Sequence, residues 1–319
     1  MIPGISVVIP TYNREKFIGE AIRSVLEQDY DGKIEIIISD DGSIDKTLEI
    51  AASFGNSVVI LKKPKNCLNQ GVAGTRNRGI KACTQEYISF LDSDDFYLPG
   101  NLKKLANKLI SNNSLGFVFC RMLEVKDQNG ENIFKPWTHK SIYKNDIRNP
   151  VVSRIKIVHT NSFLFRKTVF DEVGYFNESY PNGEDGDLWM RISEIYEGTF
   201  SDHYGAVYRS HHESGQLTKN SNTEIKKCFI KIYNDAISRY YKLELKDKLR
   251  LFQLKHWLLV YNYREKKLYY HWQYLLLIIQ YPLSYIRLLP IKVKEYMEKH
   301  SGCHWNILDF YSNKSQVKQ

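Results

Sequence analysis

The chain has 319 residues, 43% hydrophobic and 25% charged, which excludes a disordered or fibrous protein and leaves room for one large domain or a domain with an appendage. Its net charge of +9 is uneven: residues 221–319 hold 18 Lys and Arg against 8 Asp and Glu, whereas residues 1–220 hold 27 against 28. The basic character belongs to the C-terminal stretch, where no nucleic-acid recognition motif accompanies it, so no nucleic-acid partner is expected.

The opening residues, MIPGISVVIPTYN, carry no charged leader, and their apolar run has strand length and ends in Pro10. The expectation is a chain without a signal peptide, located in the cytoplasm. Five scattered cysteines, with neither a CxxC pair nor a zinc-site spacing, fit free thiols in a reducing compartment. From residue 5 to 91 short apolar runs alternate with helical patterns: "ISVVI", a helix over 16–28, "IEIIIS", a helix from about 45, "VVIL", a helix from about 72, and "YISFL". Strands of this length alternating with helices predict a mainly parallel sheet covered on both faces. A helix from Pro99 to about Ser111 follows, then β-like pieces "LGFVFCRMLEV", "SFLFR" and "TFSDHYGAVYRSH", with a helix after "GEDGD". They predict a mixed second half of the same α/β domain. From about Thr223 the text turns to long helical patterns rich in Lys, Tyr and Leu, read as a helical appendage.

In such sheets ligands bind beyond the carboxyl ends of the strands. There lie "PTYNR" after the first strand, "DDGS" after the second and "DSDD" after the fourth. No GxGxxG follows the first strand and no GxxxxGK[ST] occurs, which disfavours a dinucleotide-binding dehydrogenase and a P-loop enzyme. Three carboxylates in four residues, Asp92, Asp94 and Asp95, repel one another unless a cation neutralises them, and all-oxygen ligands select Mg²⁺ or Mn²⁺. On an extended segment Asp92 and Asp94 would point to one side. The bland alternative is that these aspartates only form a turn and cap the next helix. The same two readings, ligand or turn chemistry, stand for "DDGS".

The segments "VVIPTYNREKFIGEAIRSVLEQ", "IIISDDGSIDKT", "AGTRNRGIKA", "YISFLDSDDFYLP" and "NGEDGDLWMRI" occur in this order. Over roughly residues 5–215 the chain resembles the family 2 glycosyltransferases, inverting enzymes of the GT-A nucleotide-diphospho-sugar fold. The resemblance implies a catalytic domain over 1–220, with a nucleotide-sugar half to about 100 and an acceptor half beyond, and a helical region over 221–319. It implies that Pro10, Thr11 and Tyr12 line the base and ribose pocket, with Asn13 and Arg14 beside them, and that Asp41 bonds the base. Asp92 would approach the ribose with Ser93 next to it, Asp94 would coordinate Mn²⁺ or Mg²⁺, and Arg76 and Asn77 would contact the nucleotide. Asp185 is implied as the base that accepts the acceptor's proton, against a bland role as helix N-cap, and Glu184 as a binder of acceptor hydroxyls; Asp187 falls in the first helical turn. In "VYRSHHESG", His211 fits an Arg-x-His spacing with Arg209 and is implied as a metal ligand or a donor to phosphate. The partners so implied are a nucleotide-sugar donor and a glycan or lipid-linked acceptor in cell-surface polysaccharide synthesis. A non-catalytic binding module that kept the fold is the alternative.

The C-terminal text "HWQYLLLIIQYPLSYIRLLPIKVKEYMEK" has an apolar run well short of the ~20 residues that span a bilayer, and Pro282 and Pro290 interrupt it. Two readings stand: helices lying on an anionic leaflet, or helices packed on the catalytic domain or on a second copy of the chain.

Overall fold

The computed structural model describes residues 2–64, 71–128, 131–137 and 159–210, with residues 228, 231, 232, 235 and 239 beyond them. His211 and nearly all of the expected helical region 221–319 lie outside the described residues. Strands β1 (Ile5–Thr11), β2 (Ile34–Asp40), β3 (Val58–Lys62) and β4 (Tyr87–Phe90) pair in parallel in the order β3-β2-β1-β4. Ile5, Val7, Ile9, Ile36 and Ile38 enter one hydrophobic layer, and Val8, Ile37 and Ile88 enter the other. Burial on both faces is why these strands read as unbroken apolar runs rather than alternating ones.

The first layer is closed by α1 (Ile18–Leu26), α2 (Thr47–Ala52) and α4 (Asn101–Ser111), through Ile18, Ile22 and Val25, Ala51, and Leu102, Leu105 and Leu109. The second is closed by α3 (Gly71–Ala82), α5 (Thr168–Val173) and α6 (Glu184–Ile195). Here Trp189 of α6 lies 4.7 Å from the Phe163 ring and 4.8 Å from that of Phe165, with Phe90 and Phe176 around it. Aromatic side chains bury large areas in preferred ring geometries, so this cluster fixes where α6 begins. α3 sits unusually close to β1: a Cβ on Gly79 would meet Val8 Cγ1 at 2.3 Å, a contact only glycine avoids.

Among the described residues the second half completes a nine-stranded sheet. β8 (Phe163–Arg166) runs antiparallel to β4, and β6 (Leu115–Gln128) runs antiparallel to β8. β9 (Glu197–Ser210) is parallel to β6, β5 (Phe96–Tyr97) is antiparallel to β9, and β7 (Glu131–Pro136) folds back on β6. The pairing of Ser89 with Leu164 sets the start of β8 beside the end of β4. The short 3-10 turn Thr160–Ser162, just ahead of β8, is thereby delivered to the acidic segment that follows β4.

Candidate active site

Beyond β4 the chain does not stay extended, as the sequence suggested, but turns: the N–H of Asp95 donates to the carbonyl of Asp92 at 3.0 Å. Residues three apart are thereby brought together. Asp92 and Asp95, with His159, offer donor atoms all within 4.8 Å of one another. Asp94 instead pairs through Oδ2 with Arg14 Nε at 3.2 Å. The turn thus sets Asp95, rather than Asp94, beside Asp92 and His159.

Asp95 is buried, and its two oxygens accept from Asn161 Nδ2 at 2.6 Å and from the Arg209 N–H at 2.8 Å. Burial, with the charges of Asp94 and Asp92, nevertheless pushes its carboxyl well above the usual carboxylate range. Asp92 accepts from Arg76 Nη2 at 2.8 Å, while its N–H donates to Asn161 Oδ1 at 2.9 Å. His159 Nε2 stands 3.8 Å from Asp92 Oδ2, and its ring packs against Trp137 and Tyr208. Burial lowers the pKa of this imidazole although Asp92 opposes the shift, which favours the neutral, ligating form. Two carboxylates and an imidazole are a suitable donor set for Mn²⁺ or Mg²⁺, and such an ion would neutralise the charge that burdens Asp95. Arg209 braces the turn: Nε donates to the Asp94 carbonyl at 3.1 Å, Nη2 pairs with Glu20 at 2.7 Å, and the guanidinium lies between the rings of Phe17 and Phe96.

At the ends of β1 and β2, Pro10, Thr11 and Asp41 are buried while Tyr12 is 47% exposed. Thr11 Oγ1 is buried without a hydrogen-bond partner among the described residues. Asn13 takes a left-handed conformation (φ 51°), its N–H donating to Ser43 Oγ at 3.0 Å and its Oδ1 accepting from the Ile44 N–H at 2.9 Å. The first and second loops are thus knitted together. In "DDGS" the turn chemistry falls to Asp40, which accepts from the N–H groups of Gly42 and Ser43 at 2.9 and 3.1 Å, whereas the N–H of Asp41 extends the β1–β2 ladder to Thr11 at 2.9 Å. Ser93 is buried inside the acid turn.

α6 brings the second set of acids. Gly183, at φ 78°, is its N-cap, so the helix starts at Glu184 and Asp185 is a residue of the first turn rather than the cap. One oxygen of Asp185 accepts from the Gly186 N–H at 2.7 Å, and the half-buried carboxylate makes no other hydrogen bond among the described residues. Asp187 also falls in the first turn, as expected, and pairs with Arg191 at 2.9 Å. Glu184 is buried and accepts from Arg76 Nη1 at 2.9 Å. Its pKa is pushed up to about 7 by burial and by the neighbouring charge of Asp185, against the pull of Arg76. Asn77, expected at the nucleotide, uses its amide elsewhere: Nδ2 donates to the Phe176 carbonyl and to Glu178, and Oδ1 accepts from the Phe176 N–H, each at 2.9 Å. It is a fastening of the loop ahead of α6.

His159 and Asn161 are not marked in the sequence, while Asp95 is named there only among the three carboxylates and Arg209 only for its spacing to His211. "HTNSF" is short and bears no motif, and only the antiparallel pairing of β8 with β4 makes it a neighbour of the acid turn.

A mixed α/β sheet with paired acids at the strand ends is the GT-A architecture of nucleotide-sugar enzymes. Residues 6–174 match the family model for Glycosyl transferase family 2, and the chain belongs to that family. An uncharacterized glycosyltransferase of Rickettsia felis is 31% identical over 226 residues, 70% of this chain but only 36% of the relative's length. The GalNAc(5)-diNAcBac-PP-undecaprenol beta-1,3-glucosyltransferase of Campylobacter jejuni is 27% identical over 262 residues, 76% of this chain and 82% of the relative. Among solved structures, S. aureus TarS 1-349 in complex with UDP-GlcNAc superposes with a TM-score of 0.60 at 21% identity, over 82% of this chain and 73% of that one. The mannosyltransferase PcManGT from Pyrobaculum calidifontis, in complex with GDP-Man and Mn²⁺, gives 0.59 at 16% identity, over 94% and 85%. These likenesses establish the fold.

Proposed function

We propose that the chain is a metal-dependent inverting glycosyltransferase that moves a sugar from a nucleotide-diphospho-sugar to a hydroxyl of a glycan or lipid-linked glycan. The observation that carries this is the meeting of two acid groups on one buried arginine: Asp92 of the acid turn and Glu184 of α6 both accept from Arg76. Direct displacement at an anomeric carbon needs charge compensation on the leaving side and a proton acceptor on the attacking side; a cation held by the acid turn would supply the first, and Asp185, next to Glu184, the second.

On the donor side Tyr12 offers an exposed ring to a base, with Asn13 and Arg14 beside it. Thr11 Oγ1 and Asp41 stand at the same strand ends for polar contacts. Asp92, Asp95 and His159 would hold Mn²⁺ or Mg²⁺, which when bound stabilises the departing diphosphate. Asp94, which pairs with Arg14, would be a further ligand of that ion. On the acceptor side Asp185 accepts the proton of the attacking hydroxyl, its first-turn backbone bond holding one oxygen in place. General-base catalysis of this kind contributes about 10²–10⁴-fold. Glu184, fixed by Arg76, orients a neighbouring acceptor hydroxyl.

The mannosyltransferase and TarS complexes contain GDP-Man and UDP-GlcNAc, so uridine and guanosine donors come first in a search. The Campylobacter relative is named for a PP-undecaprenol-linked glycan, which supports a lipid-linked acceptor in surface-glycan synthesis on the cytoplasmic side of the membrane. No helix among the described residues is long and apolar enough to cross a membrane; the basic residues 221–319 would hold the protein against anionic lipid, which a liposome-binding comparison with residues 223–319 deleted would settle. The test of the reaction is release of UDP or GDP from a panel of sugar nucleotides, with and without Mn²⁺ and with lipid-linked acceptors. Metal-dependent release from at least one donor is expected, and binding without turnover for every donor and acceptor would leave only a binding module.

A further inference from the structure

Three consecutive side chains of α3 leave the helix toward three other segments. Arg76 donates to Glu184 at 2.9 Å and to Asp92 at 2.8 Å, Asn77 grips both backbone groups of Phe176, and Arg78 Nη2 donates to the Asp40 carbonyl at 2.6 Å. The guanidinium of Arg76 also lies over the Phe176 ring at 5.4 Å. Thus α3 holds the loop into α6 at its start, through Phe176, and at its end, through Glu184. α3 itself is seated on β1 at Gly79. Arg76 and Glu184 are 4% and 6% exposed. Removing charges from water this completely is costly, and a lysine cannot reproduce a planar fork that serves two carboxylates at once.

We propose that Arg76 is a positioning residue that couples the two ends of the site. It fixes the Glu184 carboxylate, and with it the first turn of α6 that carries Asp185, relative to Asp92, so that occupation of the donor end is felt by the acids that handle the acceptor. This rests on the glycosyl-transfer reading of the site. Both Nη atoms are committed to protein carboxylates, which distinguishes the role from the nucleotide contact expected from the sequence.

Hydrogen–deuterium exchange of amides 183–188 tests the coupling, read with and without UDP plus Mn²⁺ and GDP plus Mn²⁺. In the wild type, one of these nucleotides slows exchange there. Arg76→Lys and Arg76→Gln bind the same nucleotide within about threefold of wild type but lose that protection, and turnover drops about 10–100-fold with little change in donor KM. Retention of both protection and turnover by Arg76→Lys overturns the proposal. So does a loss of nucleotide binding that matches the loss of turnover, which would make Arg76 a nucleotide contact. A double-mutant cycle of Arg76→Gln and Glu184→Gln in urea needs no nucleotide: the combined shift of the unfolding equilibrium departs from the product of the two single shifts by more than about threefold, and additive effects would remove the bridge. Failure of the wild type to bind either nucleotide sinks the functional reading and the coupling with it, while the cycle still decides whether the bridge exists.

Discussion

The two halves of the sheet build the site in different ways. In the parallel half, β1, β2 and β4 each end at the same edge, so a chemical motif placed after any of these strands reaches the site automatically. In the mixed half, β8 and β9 contribute through strand direction and register. His159 and Asn161 arrive because β8 starts where β4 stops, and Arg209 because β9 passes beside β5. The first half thus presents acid groups on local loops, while the second delivers side chains that meet them from across the sheet.

Four perturbations sharpen this contrast. The largest effect is expected at Asp185→Asn, which keeps the helix but removes the proposed proton acceptor. Turnover should fall about 10²–10⁴-fold, while titration calorimetry shows nucleotide binding within about threefold of wild type; full turnover would reassign the base. Next, Trp189→Ala removes the ring that anchors α6 to Phe163 and Phe165. Urea unfolding should show a loss of about 3–5 kcal/mol, and a loss below 1 kcal/mol, roughly the cost of a surface change, would mean that the aromatic cluster does not set the acceptor-side helix.

A smaller effect is expected at His159→Ala, which should weaken Mn²⁺-dependent nucleotide binding about 10-fold with the Mn²⁺-free affinity unchanged. Equal affinities with and without His159 would return the second half to a purely structural role. The smallest effect concerns His203, away from the acid turn, between Ser201 and Asn101 Oδ1. Burial lowers its pKa to about 4. A histidine whose folded pKa is depressed contributes stability above its unfolded value of about 6.5, and that stability is lost as pH falls toward about 4. His203→Gln should flatten acid destabilisation over that window by about 1 kcal/mol, discounted for the partial exposure of the ring.

The pattern of legibility follows the same division. The alternation of apolar runs and the acids at their ends exposes the parallel core and the acidic segment after β4, because both the pleat and the strand-end edge are local consequences of β-strand geometry, whereas the role of the GED segment rests on the family resemblance. At Asp92–Asp95 the structure takes the turn that the sequence offers as the alternative to an extended segment: one backbone bond from the Asp95 N–H to the Asp92 carbonyl brings Asp95 beside Asp92. The resemblance implies Asn77 as a nucleotide contact; in the structure its amide engages Phe176 and Glu178, through the packing of α3 against the loop ahead of α6. His159 was invisible because "SFLFR" carries no mark of which strand it will pair with, or in which direction.

The central claim is that the turn closing β4 holds a divalent cation against the diphosphate of a sugar nucleotide. Crystals grown with Mn²⁺ and UDP or GDP, measured at the manganese absorption edge, test it directly. An anomalous peak among the side chains of the Asp92–Asp95 turn and His159, adjoining the diphosphate, is predicted. A nucleotide bound elsewhere, or a diphosphate at this edge with no manganese beside it, would contradict the account.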